Sequence, residues 1–176
     1  MLYKFEIQIN DNDYYEFNRY HITESADNKK GMLFYRLYVP LIFICMFILF
    51  ALGNQSPFML IFLAVFYGII SLIWVLATKL ILSYSIKRRI KKMKKKGDML
   101  YTDSAEMEFY EEGFTETTKN AKSEIKYDAV YKVKVNEGKA VYIYQNSVQA
   151  FIVPFSAFKS DEERKEFIAF ISEKAK

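Results

Sequence analysis

The spacing of apolar residues changes period twice along this chain. Residues 2–9 alternate, with Tyr3, Phe5, Ile7 and Ile9 on one face and Leu2, Lys4, Glu6 and Gln8 on the other. A period of two rich in aromatic and β-branched residues predicts a half-buried strand. Asn10-Asp11-Asn12-Asp13 follows, offering capping side chains and acids suited to a helix N-terminus. Tyr14, Phe17 and His21, with Tyr20 beside them, predict a short amphipathic helix to about Glu24. Its aromatic face has two readings, packing on a sheet or lying at a lipid interface. Residues 25–31 read as a polar link. Two unbroken apolar runs come next, residues 32–52 and 58–78, around the turn Gly53-Asn54-Gln55-Ser56-Pro57. Each run would span about 31 Å as a helix, matching a hydrocarbon core of about 30 Å. The second run carries no charge, and its strong inserters sum to roughly −4 to −8 kcal/mol. The first carries only Arg36, which would cost about 3 kcal/mol at mid-bilayer but sits near the end and can snorkel outwards. A membrane-spanning hairpin is therefore predicted over a buried soluble one. The polar stretch ahead of the first run argues against a signal peptide.

Beyond the hairpin, residues 80–96 predict a continuation of the second helix. Leu82, Ile86, Ile90 and Met93 form an apolar stripe among lysines, and Gly97 is a natural stop. From residue 105 the period returns to two. Strands are predicted at 105–110, 114–118, 123–127, 129–135, 140–145 and 148–153, with Tyr131, Val133 and Val135 inward and Lys132 and Lys134 outward. Turns are expected at Glu111-Glu112-Gly113, Asn136-Glu137-Gly138-Lys139 and Asn146-Ser147, and Pro154 should end the last strand. Ser160 and Glu163 form a capping box for a final helix that buries Phe167, Phe170 and Ile171. The fold class expected is an α+β membrane protein. It combines a two-helix transmembrane hairpin with a cytoplasmic antiparallel sheet capped by a C-terminal helix, and the N-terminal strand joins that sheet. The organisation is residues 1–31, a cytoplasmic strand and short helix; 32–78, the hairpin; 79–97, a basic juxtamembrane helix; and 98–176, the β-rich domain.

Charge sets the expected topology. The turn between the runs has no Lys or Arg, whereas Lys29, Lys30, Arg36, Lys79, Lys87, Arg88 and Arg89 flank the runs on the other side. Positive residues stay in the cytoplasm, so both termini are expected there, in a plasma-membrane protein that crosses twice. The overall charge of +4 conceals a division. Residues 79–96 hold nine basic side chains and no acid, so the rest of the chain is acidic. A basic run against a membrane helix points to anionic lipid head groups rather than nucleic acid, with Lys87, Arg88, Arg89, Lys91 and Lys92 as the candidates. Each is worth about 1 kcal/mol near an anionic surface, fading over about 8 Å. An upright helix would bring only the first of them into reach, and its stripe would then pack on protein; a flat one would bring most. Plain positive-inside topology is the simpler reading. Ala64, Gly68 and Ser71 place small residues along one face of the second helix, expected to serve contact within the hairpin, with homodimerisation as the alternative. The sequence offers no metal cluster, phosphate loop or nucleophile motif. The single His21 and the single Cys45 read as packing residues, so no cofactor, metal or catalytic residue is expected.

The strand order resembles a pleckstrin-homology-like (PH-like) domain, a bent antiparallel sheet capped by a helix. The whole chain resembles the YcxB-like family of bacterial membrane proteins. Glu108-Phe109-Tyr110-Glu111-Glu112-Gly113-Phe114 is similar to that family's F-x-x-x-G entry hairpin. Ile125-Lys126-Tyr127-Asp128-Ala129-Val130-Tyr131-Lys132-Val133 follows its aromatic-x-x-I/V-x-x-V pattern, with Tyr127 where Trp is common. Val141-Tyr142-Ile143-Tyr144 comes next, and Phe151-Ile152-Val153-Pro154-Phe155-Ser156-Ala157-Phe158 is similar to its I-P-x-x-x-F exit. These motifs are turns and core positions, and the resemblance brings no catalytic residue with it. The hairpin anchor, the β-rich domain and the lack of a chemistry motif together lead us to expect a membrane-anchored, non-catalytic interaction or scaffold module whose partner is lipid, itself or an unknown protein. The alternative is a subunit of an oligomeric transporter or pore, or a self-protection protein.

Overall fold

The computed structural model describes residues 1–23, 28–53, 55–97 and 104–175. The expected end of the first helix at Glu24, most of the polar link, Asn54 of the turn and the first residues of the C-terminal segment lie outside them. The protein is α+β, with antiparallel sheets and two long apolar helices. It divides into two compact units, Met1–Tyr20 with Ile90–Lys176, and His21–Arg89.

In the first unit, β1 (Tyr3–Gln8), β2 (Ser104–Phe109), β3 (Gly113–Thr118) and β4 (Lys122–Lys126) form one antiparallel sheet in that order. The N-terminal strand thus joins the C-terminal strands, as its alternation required. Phe5 lies opposite Met107 and Ile7 opposite Ala105. Phe5, Ile7, Met107, Phe109 and Phe114 are all buried on the inner face. A second antiparallel sheet contains β5 (Lys132–Asn136), β6 (Ala140–Tyr144) and β7 (Ala150–Pro154). Phe114 against Phe151, ring centroids 5.2 Å apart, ties the two sheets together.

One helix closes this core. It runs Asp161–Lys174 and starts where the capping box was expected: Ser160 Oγ accepts from the Glu163 amide at 3.1 Å. The Glu163 carboxylate reaches back to the Lys159 amide at 2.7 Å. Phe167 of this helix is fully buried and lies edge-on to Phe5 and Phe109, at 5.0 and 4.8 Å. Gly113 explains the spacing of the entry hairpin. A Cβ there would run into the Ile125 carbonyl of the adjacent strand, so only glycine lets β3 and β4 pair at this point.

The other face of the second sheet is also covered. The helix α1 (Asp11–Thr23) is capped by Asn10, whose Oδ1 accepts from the Asn12 and Asp13 amides at 2.8 and 3.1 Å. Phe17 packs on Tyr142 and Tyr144, and Tyr20 on Tyr142. Of the two readings of this aromatic face, the structure takes packing on the sheet. With the core on one side and α1 on the other, all five residues of β6 are buried, which accounts for its uninterrupted apolar run.

Two expected strands start late. Residues 127–129 form a 3-10 turn, so β5 begins at Lys132 and Tyr131 is 56% exposed rather than inward. Lys132, expected outward, is half-buried with Nζ 4.6 Å from the centroid of Tyr144. At the β6–β7 turn, Asn146 Oδ1 accepts from the amides of Val148 and Gln149, both at 2.9 Å. That side-chain turn holds residues 146–149 out of the ladder, leaving Val148 exposed and β7 starting at Ala150.

The second unit is a helical hairpin. The helices α2 (Lys29–Ala51) and α3 (Pro57–Lys96) each contain a stretch long and apolar enough to cross a membrane. Within it, Phe43 stacks on Tyr67 at 4.9 Å and Tyr35 meets Trp74 at 5.4 Å, with Trp74 Nε1 donating to the Tyr35 carbonyl at 3.3 Å. The helix α3 continues without a break to Lys96. Gly97 follows with φ of 72°, the left-handed stop its position predicted.

If β1 holds the first sheet together through its inner residues, Phe5→Ala will cost about 3–5 kcal/mol. Lys4→Ala, on the solvent side, will leave stability nearly unchanged. Hydrogen exchange at the Met107 and Phe114 amides is the measurement, with protection falling in the first variant and holding in the second.

Candidate functional site

The five basic candidates Lys87, Arg88, Arg89, Lys91 and Lys92 are all exposed along the distal half of α3. They follow one another around the helix and form no single cradle. The stripe between them behaves differently: Ile86 and Ile90 are buried, Leu82 and Met93 half-buried. In the last turn Lys94 Nζ meets Asp11 Oδ2 at 2.6 Å, a cation at one helix C-terminus and an acid at the N-terminus of another.

The small face of α3 is not where the hairpin closes. Ala64 and Gly68 are exposed and Ser71 is half-buried. A Cβ at Gly68 would touch nothing within 4 Å. The helices meet instead through aromatic and mid-sized residues, Phe43 and Tyr35 on α2 against Tyr67 and Trp74 on α3, and Thr78 is fully buried. Ala64 and Gly68 thus take no part in the ring contacts that join the two helices.

Polar chemistry on the β-rich unit is concentrated on the solvent face of the first sheet. Lys4 Nζ bridges Glu106 at 2.8 Å and Glu108 at 3.2 Å, and the Tyr110 hydroxyl donates to Glu108 at 2.7 Å. The Tyr110 hydroxyl, then Lys4, hold the Glu108 carboxyl below its usual range. Bonds to Glu106 and Glu108 raise Lys4. These groups neutralise one another at an exposed surface, which is the pattern of a solvated sheet face. Deeper in, burial pushes Tyr127 and Tyr142 up to about 12, so both stay neutral. Tyr127 donates to the Tyr110 carbonyl at 2.9 Å, and Tyr142 accepts from Asn136 Nδ2 at 3.1 Å. His21 contributes its backbone carbonyl to Asn28 Nδ2 at 2.6 Å, and Cys45 is exposed on α2. Among the described residues no group of three or more His, Cys, Asp or Glu could hold a metal ion.

One group had no signal in the sequence. Glu116 shares the inner face of β3 with Phe114, opposite Met107, and makes no hydrogen bond or ion pair with a described residue. Burial raises its pKa above 4.5. The folded state then holds this proton more tightly than the unfolded chain. Its contribution to stability is fully present below about pH 4.5 and is lost as pH rises through the folded value. Glu116→Gln will therefore raise the urea midpoint at pH 7.5, and the difference from the parent will close at pH 4.5.

Residues 109–171 match the family model described as YcxB-like protein, a stretch that runs from Phe109 at the end of β2 to Ile171 in the closing C-terminal helix. No curated protein and no solved structure matches the chain. The resemblance carried by the entry hairpin, the Tyr127 segment and the Pro154 exit lies in that stretch, and residues 109–171 are similar to the YcxB-like family.

Proposed function

We propose that this protein is a membrane-anchored, non-catalytic interaction module. Its hairpin crosses the plasma membrane twice, both termini are cytoplasmic, and the β-rich unit is a PH-like domain presented to the cytosol. The observation that carries the reading is the hairpin's outward surface. Leu49, Leu52, Phe58, Ile61, Leu72, Ile73 and Leu76 are each more than half exposed, far more apolar surface than a soluble protein leaves to water. The positive-inside rule supports the orientation, since the turn has no basic residue and the opposite ends have many. A sheet of four strands, a sheet of three and a closing C-terminal helix support the PH-like reading.

Anionic lipid contact through the basic helix belongs to the same reading. An upright helix would put Lys87, Arg88 and Arg89 nearest the surface and Lys91 and Lys92 beyond them. The domain itself is acidic, 11 basic side chains against 15 acidic after Gly97, so a protein segment or a second copy is its more natural partner than phosphate. A peptide adding to the exposed edge strand β4 would use backbone bonds and need no charge match.

Topology tests the anchor. In a Cys45→Ser background, Gln55→Cys will react with a membrane-impermeant maleimide on intact cells, and the chain will stay in the pellet at alkaline pH. Labelling only after permeabilisation, or release by carbonate, contradicts the reading.

A further inference from the structure

Arg36 is the one charge inside either apolar run. It is half-buried, it makes no ion pair with a described residue, and its Nε is buried with no hydrogen-bond partner. The described residues of its unit include no acid. Between Asp27 and Asp98 there are twelve basic residues and not one acid. A buried N–H without a partner is costly, and it leaves the two Nη groups of Arg36 as the donors that can take a pair of phosphate oxygens.

The hairpin geometry adds further cations on the same flank. Tyr35 meets Trp74 and Phe43 meets Tyr67, which fixes the antiparallel register of α2 and α3. Arg36 follows Tyr35 on one helix, and Lys79 follows the fully buried Thr78 on the other. Advancing one residue turns a helix by about 100°, and in an antiparallel pair the two turns lead to the same flank. Lys79 lies five residues beyond Trp74, about 7.5 Å towards the basic end, within the outward reach of an arginine at the Trp74 level. Lys29 precedes Arg36 by seven residues and so shares its face of α2. Lys29 and Lys79 are exposed. The Tyr35–Trp74 pair, aromatic with a polar edge, marks the level at which head groups begin.

We infer that Arg36, Lys79 and Lys29 form a binding site for the phosphate of an anionic phospholipid on the cytoplasmic side of the hairpin. The inference rests on the membrane reading above. It is distinct from the distal basic run, because Lys87 lies about 12 Å beyond Lys79 along the helix, past the screening length at physiological salt. The guanidinium group takes the phosphate oxygens in a bidentate pair, and the two ammonium groups close the flank as point charges.

The chain's single tryptophan, Trp74, reports on this level of the bilayer. The full-length protein is reconstituted in phosphatidylcholine vesicles containing one-fifth phosphatidylglycerol, with dibrominated chains on one lipid or the other. Brominated phosphatidylglycerol will quench Trp74 beyond its mole fraction. Arg36→Gln and Lys79→Gln will each weaken that preference about five-fold or more, Arg36→Lys will keep part of it, and Lys139→Gln, on the β-rich unit, will leave it intact. Quenching by brominated phosphatidylcholine in Arg36→Gln shows that the variant is inserted. An unchanged preference in both Gln variants overturns the site while leaving the anchor standing. Loss of the preference on adding inorganic phosphate at constant ionic strength assigns the cations to free phosphate and overturns the lipid assignment. Failure of both brominated lipids to quench the parent protein removes the anchor and the site together.

Discussion

The architecture depends on the pairing of β1 with β2. These strands lie side by side in one sheet but are separated by about 95 residues of chain that include both long helices. Closing a flexible loop of that length costs about 3 kcal/mol more than closing a tight hairpin. Burial of Phe5 and Ile7 returns roughly 3–6 kcal/mol, so the long-range pairing wins even before the insertion is credited with structure. The insertion is itself a hairpin, which brings the chain back near the level it left and lowers the closure term further. The pairing also constrains topology. A sheet built from both ends of the polypeptide places those ends on the same side of whatever the helices cross.

Charge is divided along the same lines as structure. Residues 28–97 carry twelve cations and no acid, while the β-rich part beyond Gly97 has more acids than bases. Where the two kinds of segment meet within the β-rich unit, Lys94 and Asp11 pair at two helix termini of opposite polarity. Elsewhere on that unit Glu108 is answered locally by Lys4 and Tyr110. Arg36 differs, a cation that makes no ion pair with a described residue.

Much of the fold was legible because it rests on period and punctuation. Tyr3, Phe5 and Ile7 alternate because they line one side of a sheet, and Ser160 with Glu163 starts the closing helix through its own side chains. Gly113 was visible as a turn residue, but its reason, close approach to Ile125, involves two strands and could only be seen in three dimensions. The late starts of β5 and β7 were illegible for a related cause. The turn at Tyr127–Ala129 and the Asn146 side-chain turn compete with the ladder over two or three residues, less than one period of the pattern. Ring contacts such as Phe43 with Tyr67 join the two helices, a pairing that the pattern of small residues does not describe. Of the candidate site, the basic residues of α3 were plain in the sequence. The isolation of Arg36 depends on what surrounds it, which composition alone does not describe.

The joint between β1 and β2 within an intact membrane is the most direct test of this account. Gln8 and Ser104 face each other at the end of the ladder where the chain leaves for, and returns from, the helices. Replacing both by cysteine in a Cys45→Ser background and oxidising native membranes should give an intramolecular disulfide in a chain that still resists carbonate extraction. A cross-link found only between copies, or none while the chain remains membrane-bound, would contradict it.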